Sequence, residues 1–64
     1  MENIESFINE HSNEIVGVKV DGVFYDVTTI DDGVVCCVEG GQIYEFPFET
    51  LSNAKFYRLQ EIIW

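Results

Sequence analysis

Twelve acidic residues stand against three Lys/Arg and one His in a chain of 64 residues, giving a formal net charge of −9 at pH 7. That balance argues against nucleic acid or an anionic membrane as a ligand, because binding to phosphates is driven by basic side chains, and it favours a basic protein partner. With 47% hydrophobic residues the chain is too apolar for a disordered tail, yet a domain this short buries only about 60% of its unfolded surface, so its core is thin.

The first element is a short helix over residues 3–11. Ile4, Phe7, Ile8 and His11 recur at helical spacing, with Glu5, Ser6, Asn9 and Glu10 on the other side. Asn3 suits the N-cap, and Ser12-Asn13 the stop. A helix so short is marginal alone and must dock on something. The segment Met1–Glu5 is acidic and lacks the basic start of a signal peptide. No run reaches the roughly 20 apolar residues of a membrane span, so the expected location is the cytoplasm.

The period then changes to two. Val16, Val18 and Val20 alternate with Gly17 and Lys19, which marks a half-buried strand. Asp21-Gly22 is the hairpin dipeptide of a type I′ turn, whose central residues both need positive φ. Val23 to Ile30 is the return strand, and a two-residue turn pairs Val20 with Val23, Val18 with Tyr25 and Val16 with Val27, all on one face. Asp31-Asp32-Gly33 turns again. Val34 to Glu39 is apolar on both faces up to Glu39, as a central strand is. Gly40-Gly41 makes the third turn, and Gln42 to Phe48 the fourth strand, with Pro47 marking an edge or the end of pairing. Local pattern leaves Lys55 to Trp64 open between helix and strand.

The run Gln42-Ile43-Tyr44-Glu45-Phe46-Pro47-Phe48-Glu49-Thr50-Leu51-Ser52-Asn53-Ala54-Lys55-Phe56 resembles the end of an SH3-like or Sm-like small barrel. Its nearest echo is the C-terminal domain of the ribosome-maturation factor RimP. The resemblance implies a strand ending in a Pro-Phe step, one turn of 3₁₀ helix carrying a buried aliphatic residue and an alanine in the places of Leu51 and Ala54, and a closing strand over 55–61. It covers residues 15–61 and carries architecture only, with no functional residue. The expected fold is therefore α+β and mainly β: the 3–11 helix packed on a small antiparallel sheet curled into an SH3-like barrel, followed by an apolar tail at 62–64.

No constellation for catalysis stands out. Cys36 and Cys37 are adjacent, point to opposite faces of a strand and cannot pair without distorting it; they read as reduced, apolar thiols. His11 completes no metal-ligand spacing and lies on the apolar side of its helix. Asp26, Asp31 and Asp32 lack the calcium-loop pattern and read as a solvated turn. A nucleophile with its base and orienting group is absent, and Glu39 beside Gly40-Gly41 repels phosphate. Neither an enzyme nor a cofactor is expected.

Phe24, Tyr44, Phe46, Phe48, Phe56, Tyr57 and Trp64 are more than one thin core can hide in a monomer, and aromatics anchor protein interfaces; the alternative is that they fill a barrel core and the helix seam. Ile62-Ile63-Trp64 is the leading exposed apolar segment. The functional expectation is a small acidic inhibitor or adaptor, similar in size and charge, though in no motif, to phage inhibitors of uracil-DNA glycosylase and to anti-CRISPR proteins. Carboxylates at Glu2, Glu5, Asp26, Asp31, Asp32, Glu39 and Glu45 would occupy a basic groove in place of phosphates, with Tyr44 and Trp64 as anchors. The alternatives are a housekeeping adaptor on a basic ribosomal or translation protein, and a structural homo-oligomer, a homodimer being the simplest form.

Overall fold

The computed structural model describes residues 3–59 and 61–63. Among these residues the fold is mainly β: one short helix and six antiparallel strands in a single sheet. The helix α1 (Ile4–His11) begins at Asn3, whose Oδ1 accepts from the Ser6 N–H at 2.8 Å, and is capped at its far end by Ser12. The strands are β1 (Gly17–Val20), β2 (Val23–Asp31), β3 (Val34–Glu39), β4 (Gln42–Pro47), β5 (Lys55–Arg58) and β6 (Glu61–Ile62). A 3₁₀ turn, Phe48–Thr50, joins β4 to β5.

Three hairpins of one design build the first four strands. Asp21 and Gly22 have φ of 51° and 83°, Asp32 and Gly33 53° and 76°, Gly40 and Gly41 58° and 80°. Each pair supplies the two positive-φ residues that match the right-handed twist of the flanking strands. The first hairpin has the expected register, Val20 opposite Val23 and Val18 opposite Tyr25. The Val27 N–H donates to Val16 O at 3.0 Å, one step beyond the end of β1. Burial follows this register only in its middle. Val18, Val20, Tyr25 and Val27 pack on or against the core, while Val16 and Val23 are exposed and Ile15 is buried beside Val16.

Strand β2 departs from strict alternation. The pairing with β3 slips between Val27 and Thr29, so Thr28 is an extra residue whose hydroxyl donates to Cys36 O at 3.0 Å. This bulge decides which way Ile30 faces. Val27 pairs with Cys37 and Ile30 with Val35, both buried partners, although Val27 and Ile30 are three residues apart and would otherwise point to opposite sides.

The sheet order is β4-β3-β2-β1-β5-β6. Strand β3 is internal, as its two apolar faces suggest, and β4 with Pro47 is an edge. The expected single strand over 55–61 is corrected: it ends at Arg58, Leu59 takes φ 59°, and β6 returns with Ile62 opposite Tyr57. Ile62 is accordingly a strand residue, and Ile63 packs on the core with its N–H on Phe56 O at 2.9 Å. Trp64 lies outside the described residues.

The inner face of the sheet meets the helix. Val18, Val35, Cys37 and Phe56 are fully buried with Ile8 and Leu51, and Phe7 sets its ring 5.6 Å from that of Phe56. Leu51 and Ala54 are buried after the 3₁₀ turn. Arg58 ties the periphery together: its Nη1 donates to Glu14 Oε1 at 2.8 Å, and it pairs with Glu61 through Nε at 3.1 Å and through Nη2. His11 Nδ1 lies 3.1 Å from the same Glu14 carboxyl, and its ring packs 4.7 Å from Phe7. The clasp so formed joins the end of α1 to the β5–β6 hairpin.

Candidate functional site

Alternation along each strand sends half of its residues to the side away from the helix. On β2 these are Phe24, Asp26, Thr29 and Asp31; on β3, Val34, Cys36 and Val38; on β4, Ile43, Glu45 and Pro47. The cross-strand rows are fixed by register. Asp26, Val38 and Ile43 form one row, Thr29, Cys36 and Glu45 the next, and Asp31, Val34 and Pro47 the third. Each row therefore combines polar and apolar side chains. With strands about 4.8 Å apart and a rise of about 3.3 Å per residue, Asp26 and Glu45 are separated by roughly 12 Å.

On this outer face Asp26, Thr29, Asp31, Ile43, Glu45 and Pro47 are exposed, and Val34, Cys36 and Val38 are half-buried. Ile43 is 77% exposed. The rows therefore set exposed carboxylates beside one exposed aliphatic side chain, Ile43, and two half-buried ones, Val34 and Val38.

The structure brings some of the anticipated acids together and separates others. Asp26, Asp31 and Glu45 share the outer face, and Asp32 sits in the β2–β3 turn beside Asp31. Glu39 ends β3 at the opposite end of the sheet, next to the Gly40-Gly41 turn. Glu5 is exposed on α1, across the sheet from the others, because Phe7 and Ile8 of that helix dock on the inner side. Glu2 and Trp64 lie outside the described residues. Tyr44 points inward, not out: it pairs with buried Cys37 and joins a ring cluster with Tyr25 (5.1 Å, edge-on) and Phe46 (6.4 Å, stacked). The same burial pushes the Tyr25 hydroxyl above its ordinary pKa.

Ile43 was not among the anticipated anchors. The signal was present, since register through Gly40-Gly41 places it opposite Val38 on the non-core side. Tyr44, the larger and aromatic neighbour, alternates with it and takes the core side.

The thiols behave as expected of opposite faces. Cys37 is buried, and desolvation raises its pKa above the ordinary thiol value, which disfavours the reactive thiolate. Cys36 is half-buried on the outer face, its Sγ 3.9 Å from Glu45 Oε2. Among the described residues no three His, Cys, Asp or Glu side chains cluster as a metal site, and no helix is long and apolar enough to cross a membrane.

Comparison with protein families, with curated proteins and with solved structures found no match for this chain.

Proposed function

We propose that this chain is a cytoplasmic protein-binding module that uses its acidic outer face to occupy the basic groove of a nucleic-acid-binding or defence protein, as the inhibitors made by phages and mobile elements do. One observation carries the reading. Asp26, Asp31 and Glu45 are exposed on the same face as exposed Ile43 and half-buried Val34 and Val38, in a chain of net charge −9. Spread carboxylates answer the charges that bind phosphates, and the aliphatic groups add contact that salt does not screen.

The test is a tagged pull-down from bacterial lysate, washed at low and high salt and read by mass spectrometry. One dominant basic nucleic-acid-processing protein should be retained, fall away as salt rises, and be lost from the quadruple variant D26N/D31N/D32N/E45Q. Retention by that variant with the same salt dependence would sink the mimicry reading.

A second reading rests on the end of the sheet. The Pro-Phe step, the 3₁₀ turn, buried Leu51 and Ala54, and β5 returning to β1 support an SH3-like arrangement of the kind in RimP. An adaptor of that type would retain ribosomal or translation proteins in the same experiment.

A further inference from the structure

The outer face continues past the acidic rows onto β1, β5 and β6, and there its chemistry inverts. Lys19 and Lys55, two of the three Lys/Arg in the chain, are direct cross-strand partners. Both are exposed, and among the described residues neither forms an ion pair; the only cation that does so by Lys or Arg is Arg58, held by Glu14 and Glu61. Like charges placed opposite one another on a sheet destabilise it. Asp21 lies nearby but within ion-pair distance of neither lysine among the described residues. A groove of about 440 Å³ opens at the two lysines, lined also by Asn53, Tyr57, Ile62 and Asp21.

The floor of this groove is apolar and depends on a glycine. Tyr57 and Ile62 are cross-strand partners, and the Phe24 ring meets that of Tyr57 edge-on at 5.2 Å. Phe24 reaches Tyr57 by lying across Gly17, where a Cβ would stand 2.3 Å from the ring. Two exposed lysines therefore line a groove with an aromatic and an aliphatic residue, Tyr57 and Ile62. The matching ligand has an anionic head and an apolar body. A polyanion is opposed by the net charge of −9 and by Asp21 at the groove edge, so the head should carry a single charge. The planar carboxylate meets that requirement and can accept from both ammonium groups and the Asn53 amide.

We infer that this groove binds the carboxylate of an amphipathic organic acid, the head between Lys19 and Lys55 and the apolar body on Tyr57 and Ile62. The site is separate from the acidic rows over β2–β4, and it stands whether or not those rows bind a protein. The carboxylate could belong to a free acid or to the C-terminus of a peptide.

Amide proton–nitrogen correlation spectra of the full chain test this, with two probes: phenylbutyrate, and an acetylated tetrapeptide ending in leucine-phenylalanine. Each is titrated beside its uncharged amide. The acids should shift the Lys19, Lys55, Tyr57 and Ile62 resonances saturably, and the amides should not. Lys19→Gln with Lys55→Gln should weaken binding about tenfold, as loss of two exposed charge contacts implies. Unchanged dispersion in that variant's own spectrum would show that it is folded. Tighter binding of the peptide would assign the site to chain termini, and tighter binding of phenylbutyrate to free acids. No saturable shift with either probe up to about 10 mM, where even a contact weaker than millimolar registers, would overturn the inference. Equal binding of the amides, or affinity indifferent to the two lysines, would do the same.

Discussion

The two faces of this one sheet are made from the same kinds of residue and have opposite fates. On the inner side Val18, Val35, Cys37 and Phe56 are fully buried beneath Ile8 and Leu51. On the outer side Ile43 and Ile62 remain 77% and 55% exposed, with Phe24 at 42%. Hydrophobicity does not separate Val35 from Ile43. Cover does: α1 and the 3₁₀ segment contribute Phe7, Ile8, Phe48 and Leu51 to the inner side, and among the described residues nothing comparable lies on the outer. Among the described residues the helix and the 3₁₀ segment cover one face, and Ile43, Ile62 and Phe24 are left exposed on the other.

The sharpest way to break this comparison is to truncate one residue on each side. Phe56→Ala removes a fully buried ring that packs on Phe7 and should cost about 3–5 kcal/mol, enough to unfold most of a marginal domain. Ile43→Ser on the outer side should stay within about 0.5 kcal/mol of the parent. Urea unfolding followed by circular dichroism measures both. A large loss for Ile43→Ser would mean that the outer face is covered, by self-association or otherwise.

A smaller effect is expected where the outer face has packing of its own. Gly17→Ala places a methyl group against the Phe24 ring, with no backbone strain because Gly17 is not among the positive-φ residues. The ring must swing off Tyr57, at a cost of about 1–2 kcal/mol. Adding Phe24→Leu should recover part of that loss. If Gly17→Ala is neutral, the aromatic floor is not held by Phe24.

The smallest effect concerns the clasp at the edge of both faces. A side-chain hydrogen bond from His11, with a second from Arg58, holds the Glu14 carboxyl below its ordinary value of 4.5. A depressed folded-state value stabilises the fold above the unfolded pKa, and that contribution is lost as pH falls through the folded one. The stability difference between the parent and Glu14→Gln should therefore be full above pH 4.5 and shrink below it. Comparing the two proteins cancels the relief of self-repulsion as the other acids protonate. A difference that does not vary with pH would detach Glu14 from the clasp.

Much of the fold was legible because its information is local. Asp21-Gly22, Asp32-Gly33 and Gly40-Gly41 set three turns by backbone chemistry, and each turn fixes the register of the strands beside it. The helix and its Asn3 cap follow from spacing and from one side-chain hydrogen bond. The acids were equally plain, and their grouping was not. Asp26, Asp31 and Glu45 come together through pairing of three strands, whereas Glu5 is carried to the far side by a helix whose docking no short window encodes.

By itself, then, the sequence determined the hairpins, the helix, the excess of charge and the opposite facing of Cys36 and Cys37, all consequences of turn chemistry and of periods of two or 3.6 residues. Only the tertiary structure decided that Thr28 bulges to turn Ile30 inward, that the chain after Ala54 pairs with β1 and turns back at Leu59, and that Lys19 meets Lys55. The physical reason is sequence distance. Each of these depends on what the strand beside it offers, and for β1 and β5 that neighbour arrives some thirty-six residues later in the chain, as Lys19 and Lys55 themselves show.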